Sequence, residues 1–507
     1  MSFFKRHFFL VCLVVSLCGL LVWFELADGS ARPGGGHSYG GSRRSSGGGS
    51  GGSGGSGSGE GLFFLLELIF RLIFYYPKIG IPLLLIVIVW FIYSSRHSQV
   101  PSYSSRVPQE WEPLPSPVTI SQRSDALRVH DPNFSEILFM DFVAALYGRV
   151  HEARGRQGLE PYRSFVSPDA LNQLAYQTPA DVVGVTGIVL GSATVIDFTP
   201  VSEPVITITV EFETNYTELN RHGEGQTTWY ARERWAFQRK RDLLSRPPEK
   251  ITVDRCPKCN GPLEKRPDGS CAFCGVMISG GDFDWFVIRI ELLGREDRGP
   301  ALTQDVPERG TDLPTVFQPN VELVFKQFTV LNPTFQWGVF EKRVQHIFHQ
   351  IYLAWTSLDW EQARPFETDN VFQMHRYWIR EYERQGLRNV LKEIQISRID
   401  LAKVKADAFF DAITVRIFAS CIDYTEDLAG TILCGKPNKP RIFTEYWTFI
   451  RRRGVASVSK GNSSCPNCGA PLHINMAGVC EYCGSKITSG DFDWVLSRIE
   501  QDDAYRG

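Results

Sequence analysis

The sequence predicts an α+β protein: two tandem modules of helices and antiparallel sheet, each with a zinc ribbon, behind a membrane-anchoring helix. Three observations predict it. A C-x2-C-x11-C-x2-C motif occurs twice, as Cys256, Cys259, Cys271 and Cys274 and as Cys465, Cys468, Cys480 and Cys483. The same order of amphipathic helices and alternating strands precedes each copy. Ahead of both lies an apolar run long enough to cross a bilayer.

Zinc takes four soft ligands at tetrahedral corners, and two Cys-x-x-Cys turns supply two thiolates each. Four cysteines fill every position, so the expected pair of zinc ions is structural, with no place for water or substrate. A ribbon this small owns little core, and metal binding supplies most of its folding free energy. The competing assignment is two disulfides per motif. Each motif runs into one signature, Gly280-Gly281-Asp282-Phe283-Asp284-Trp285 and Ser489-Gly490-Asp491-Phe492-Asp493-Trp494.

The 507 residues suggest about three domains. A formal charge of −2 lacks the basic excess of a dedicated nucleic-acid binder. Of the 12 cysteines, those outside the motifs are Cys12, Cys18, Cys421 and Cys434. Cys421 sits in an alternating apolar stretch and reads as a small buried hydrophobe.

From the N-terminus, residues 1–31 read as a signal peptide or signal anchor, with Lys5 and Arg6 ahead of an apolar core. Residues 32–61 are a Gly/Ser-rich coil that buries nothing. Residues 62–93 form an interfacial plus transmembrane segment, split at Pro77-Lys78 and longer than the ~20 residues a span needs. Residues 94–130 are a Pro-rich tether. Positive charge at the start places the soluble part on the cytoplasmic side of a plasma or inner membrane. Reduced thiols there favour zinc over disulfides. Two separate spans within 62–93 reverse that inference.

Two modules follow, at 131–294 with a ribbon at 256–274 and at 332–503 with a ribbon at 465–483, joined by a linker at 295–331. Each opens on an X-Pro-X-Phe entry, Asp131-Pro132-Asn133-Phe134 and Asn332-Pro333-Thr334-Phe335. An amphipathic helix follows, with Phe134, Ile137, Leu138, Phe142, Leu146 and Val150 on one face in the first copy. Phe335, Val339, Val344, Ile347, Ile351 and Trp355 share a face in the second. Second helices are expected near 168–177 and 368–383. Ile206, Ile208, Val210 and Phe212 alternate as a half-buried strand, as do Ile413, Val415, Ile417 and Ala419. An E-x-W-x-F-x-R-x-R strand comes next, Glu233 to Arg241 and Glu445 to Arg453. Its period of two puts Trp and Phe on one face. A closing strand runs from Trp285 to Ile290 and from Trp494 to Ile499, so each ribbon sits at the tip of a hairpin.

Over 131–294 and 332–503 this order resembles the Tim44-like domain family, named for the tethering subunit of the mitochondrial inner-membrane translocase. The matching residues are Trp235, Phe237, Arg239 and Trp285, and Trp447, Phe449, Arg451 and Trp494. The resemblance implies a cone-like fold similar to nuclear transport factor two, a curved sheet around helices with an apolar pocket. It implies a binding or tethering module and no enzyme. The mitochondrial tether lacks an inserted ribbon and this N-terminal span, so a role in protein import does not carry over.

The expected function is a membrane-anchored scaffold presenting two modules to a protein or lipid partner. Two linked modules raise the effective concentration of a bivalent partner. The alternatives are nucleic-acid binding through the ribbons, with Arg239-Lys240-Arg241 and Arg451-Arg452-Arg453 as solvated basic ends, and an enzyme using a cone pocket. No phosphate loop, nucleophile elbow or carboxylate–His motif supports the last. His346 and His349 read as ordinary helix residues. Asp282, Asp284, Asp491 and Asp493 read as turn caps ahead of a cation site. Trp235 and Trp447 read as core.

Overall fold

The computed structural model describes Pro33 and residues 117–507 except 156–157, 222–225, 251–254, 257, 263, 265, 267–268, 278–283, 298–301, 303–307, 309, 456–463, 476–477, 503–504 and 506. The signal segment, the Gly/Ser-rich coil and the expected span at 62–93 lie outside the described residues. Among the described residues no helix is long and apolar enough to cross a membrane.

The first module runs α1 (Pro117–His130), α2 (Glu136–Glu152), α3 (Pro168–Gln177), β1 (Val182–Phe198), β2 (Val205–Asn220), β3 (Gln226–Lys240) and β4 (Phe286–Asp297). The second repeats it: α4 (Val321–Leu331), α5 (Trp337–Ser357), α6 (Asp369–Gln385), β5 (Leu387–Ala406), β6 (Phe410–Asp427), β7 (Ile432–Arg452) and β8 (Val495–Gln501). Each module is thus helices followed by one four-stranded antiparallel sheet, in the order β1-β2-β3-β4 or β5-β6-β7-β8.

Two helices extend the repeat beyond the sequence reading. α1 occupies the end of the stretch read as a Pro-rich tether, and α4 lies in the stretch read as a linker. Pro117 is the first residue of α1, where a missing N–H costs nothing. α4 buries Phe328 and closes against the entry turn, with Asn332 N–H bonded to Phe328 O at 2.9 Å. Residues 310–318 of the linker form a strap on the second sheet. Arg416 of β6 donates to Leu313 O at 2.7 Å and Gly310 O at 3.0 Å, and Gln318 N–H reaches Ala402 O at 2.8 Å.

Local chemistry explains the main helices. Ser135 caps α2, accepting from Leu138 N–H at 3.2 Å, and Ser167 caps α3 in the same way. α6 ends at Gly386, whose φ of 66° suits a residue without Cβ. Of the expected stripes, Phe134, Phe142, Leu146 and Val150 and Phe335, Val344, Ile347, Ile351 and Trp355 pack with their own sheets, whereas Ile137 and Leu138 turn to the second module and Val339 is exposed.

Strand register is the same in both modules. Ile208 faces Phe237 and Val210 faces Trp235; Ile413 faces Phe449 and Val415 faces Trp447. Trp235 and Trp447 each pair across to Ile290 and Ile499. The register shift just before Phe237 recurs before Phe449, and β3–β4 has a second shift at Arg232/Glu233 that β7–β8 does not share. Trp235, Phe237, Trp447 and Phe449 are wholly buried, as core residues. Each buried Phe or aliphatic side chain of this kind contributes about 1.5–3 kcal/mol.

One residue of each basic strand end needs correcting, while Lys240 and Arg453 are exposed as expected. Arg239 and Arg451 share the inward phase of Trp and Phe, and each is 1 % exposed. Arg239 pairs with Asp131 at 2.5 Å and lies over the Trp285 ring at 4.7 Å. Arg451 pairs with Asp411 at 3.2 Å and lies over Trp494 at 4.7 Å. These arginines are structural bolts that no nucleic acid reaches.

The two modules touch through α2. Leu138 packs with Phe410, Ala412, Ile450 and Val495 on the outer face of the second sheet. Ser135 Oγ donates to Asp407 at 2.6 Å, and Lys405 pairs with Glu136. Burial alone raises the Glu136 carboxyl, but Lys405 and Lys403 opposite it pull the pKa down to about 2.

Candidate metal centres

Each cysteine pair sits on a tight knuckle. Cys256 N–H bonds to Gly261 O and Asn260 N–H returns to Cys256 O; Cys271 does the same with Val276 and Gly275. The second ribbon repeats this at Cys465 with Ala470 and Gly469, and at Cys480 with Ser485 and Gly484. The residue after each Cys-x-x-Cys has positive φ, between 60° and 75°, at Asn260, Gly275, Gly469 and Gly484. Glycine and asparagine tolerate that conformation best, which explains their presence there. The knuckles turn both thiols of a pair inward.

The eight predicted cysteines therefore gather as two groups of four, with all Sγ atoms of a group within 4.8 Å of one another. Cys256 and Cys274 are 3.9 Å apart, Cys259 and Cys271 3.9 Å, Cys465 and Cys483 3.7 Å. A tetrahedral ion with bonds of about 2.3 Å sets sulfur atoms about 3.8 Å apart. A disulfide requires about 2.05 Å. The eight motif cysteines are free thiols. The donor set thus fits one tetrahedral metal ion per group.

Polar neighbours also touch one thiol of the second site. Ser485 Oγ lies 3.4 Å from Cys483 Sγ, and Asn467 donates an amide hydrogen to it at 3.5 Å. Those hydrogen bonds lower the Cys483 pKa, while that of Cys468 in the same group is raised. A thiolate so held is a ready metal ligand.

Each ribbon lies between the last two strands of its sheet, as the hairpin reading expects. The second carries a small core of Cys465, Cys480, Ile487, Leu472, Ile474 and Phe492. Both ribbons expose an aromatic at the same place on the second knuckle, Phe273 and Tyr482. Asp284 and Asp493 cap their turns, accepting from Trp285 and Trp494 N–H at 2.9 and 2.8 Å. Both also pair with arginines, Arg246 and Arg343. Asp491 accepts from Ser489, and Asp282 lies outside the described residues. His346 and His349 pack beside Phe366 and Phe348.

Sequence reasoning missed a buried polar cluster in each module. In the first, Arg154 lies 3.1 Å from His151 Nδ1, so Nε2 keeps its proton and donates to Glu233 at 3.2 Å. Burial pushes the His151 pKa down and keeps the ring neutral. Trp235 Nε1 donates to the same carboxylate at 2.9 Å, as Trp447 does to Glu445. In the second module His375 meets Glu367 at 2.8 Å, both fully buried. The signal at His151 was its place four residues after Tyr147 on the apolar face of α2; nothing local marks its glutamate.

The Tim44-like domain model matches residues 321–462. Over these residues the second module is similar to the Tim44-like domain. The match opens on the first residue of α4 and stops just before Cys465, so it takes in the helices and three strands and leaves the ribbon outside. No curated protein matches the chain. Among solved structures, an Ntf2 like protein involved in plasmid conjugation aligns at 8 % identity with a TM-score of 0.17. The alignment covers 73 % of this chain and 98 % of that one. A score that low carries no argument about fold.

Proposed function

We propose that the chain is a membrane-anchored binding protein that presents two Tim44-like modules to protein or lipid partners on the cytoplasmic face of a membrane. In this reading residues 62–93 are the anchor, and Cys256, Cys259, Cys271 and Cys274 hold one structural zinc. Cys465, Cys468, Cys480 and Cys483 hold the other. The observation that carries it is the shared register, buried tryptophan and buried arginine of the two sheets. This extends the Tim44-like assignment from 321–462 to the first module, with a ribbon inserted in each. Closed four-cysteine sites and buried His–Glu pairs suit a binding module better than a catalyst. Burial of Arg239 and Arg451 takes one of the three basic residues from each strand end, which weakens the nucleic-acid reading.

Photo-crosslinking of the full chain in its own membranes tests this, with probes replacing Phe273 and Tyr482. The expected result is retention in the membrane after alkaline wash and a discrete adduct that competes with unlabelled chain. Release by the wash, with no discrete adduct from either probe, overturns it.

A further inference from the structure

Helix α6 is where the second ribbon, its own module and the first module meet. Asp369, its first residue, accepts from Lys486 Nζ at 2.7 Å and lies 3.4 Å from Thr488 Oγ1. Both partners follow Cys483 closely in the chain. Arg364 pairs with the same carboxylate. The fit is tight, since a Cβ on Gly478 of the ribbon would meet the Arg364 guanidinium at 2.6 Å. One residue on, Asn370 donates to Asp141 of α2 at 2.8 Å. Further along, the Tyr377 ring covers Gly187 of β1, where a Cβ would lie 3.1 Å from it.

We propose that the metal held by Cys465, Cys468, Cys480 and Cys483 braces the contact between the two modules, while the metal held by Cys256, Cys259, Cys271 and Cys274 staples its own ribbon alone. The inference rests on the metal-centre reading above. Metal binding supplies most of a ribbon's folding free energy, so the positions of Lys486 and Thr488 depend on it. Without them Asp369 loses its cation from the ribbon and faces Asp141 across Asn370. The start of α6 then loosens, and with it the contacts to α2 and β1.

Among the described residues the first module lacks these parts. Pro168 begins α3 where Asp369 begins α6, and Met277 stands in the place of Lys486, half exposed. Arg163, the counterpart of Arg364, pairs with Glu160 at the surface. Tyr176, the counterpart of Tyr377, is 92 % exposed.

Hydrogen–deuterium exchange on the full chain, with metal content measured on the same samples, tests the asymmetry. The pair Cys465→Ser/Cys468→Ser is expected to lose one metal per chain and to speed exchange several-fold at 136–146 and 184–190. The pair Cys256→Ser/Cys259→Ser is expected to lose one metal and leave those segments unchanged. Lys486→Met keeps every cysteine; it should retain both metals and speed exchange at the same segments by a smaller factor. Unchanged exchange there after loss of the second metal, or equal effects from the two ribbons, overturns the bracing role alone. Wild-type chains without metal overturn it together with the metal-centre reading.

Discussion

The two modules bury the same arginine under the same tryptophan but neutralise it from different directions. In the first, the carboxylate comes from the entry turn, at Asp131, and the strand neighbour of Arg239 is Ile206. In the second, the entry turn offers Asn332, 3.5 Å from Arg451, and the carboxylate is Asp411 at the β6 position matching Ile206. The pair of positions has exchanged its charge. A buried guanidinium stacked on an indole requires an anion, yet the fold accepts it from either side. What is constant is the electrostatic requirement rather than the residue that meets it.

Breaking that arrangement gives the largest expected effect. Asp411→Ile leaves Arg451 buried without its carboxylate and should cost about 3–5 kcal/mol, read from denaturant unfolding of the second module. Adding Asn332→Asp recreates the first module's arrangement and should recover most of the loss. No recovery would mean that the two entry turns are not interchangeable.

A smaller effect sharpens the comparison at the junction. Asp141 of α2 corresponds to Lys342 of α5, and the aspartate alone faces another carboxylate. Burial first, and Asp369 second, raise the Asp141 pKa from the ordinary 3.8 to about 7. Asn370, Arg498 and Lys486 oppose that rise. The folded chain therefore keeps a proton that the unfolded chain releases. This contribution to stability is whole below about pH 4 and is lost as pH climbs through about 7. Asp141→Asn keeps an acceptor for Asn370 and should flatten the decline in stability between pH 5 and 8 (about one to two pH units either side of the raised pKa). An unaltered pH profile would show that the junction does not hold that proton.

Patterns with a short repeat were the legible part of this fold. Period-two alternation fixed the inner face of β2, β3, β6 and β7, so Trp235 and Trp447 were readable as core. Cysteine spacing located both groups of four thiols, because two close turns leave few other geometries. β1 and β5 were not read, since β1 breaks its own alternation with glycines and bulges and β5 carries charges throughout. α1 and α4 were hidden by prolines nearby and by length, each helix gaining its place from packing against its sheet. The partners of Arg239 and Arg451 were beyond reach for a different reason. Asp131 lies more than a hundred positions from its arginine, and nothing local to either residue announces the pair. The clamp on α6 is of the same kind, made by residues that only the folded ribbon brings together.

Zinc-edge X-ray absorption on the purified full chain tests most directly whether each module is pinned by a metal. Two ions per chain, each with four sulfur neighbours at about 2.3 Å, is the predicted result. Absence of bound metal, or a first shell dominated by nitrogen or oxygen, would contradict it.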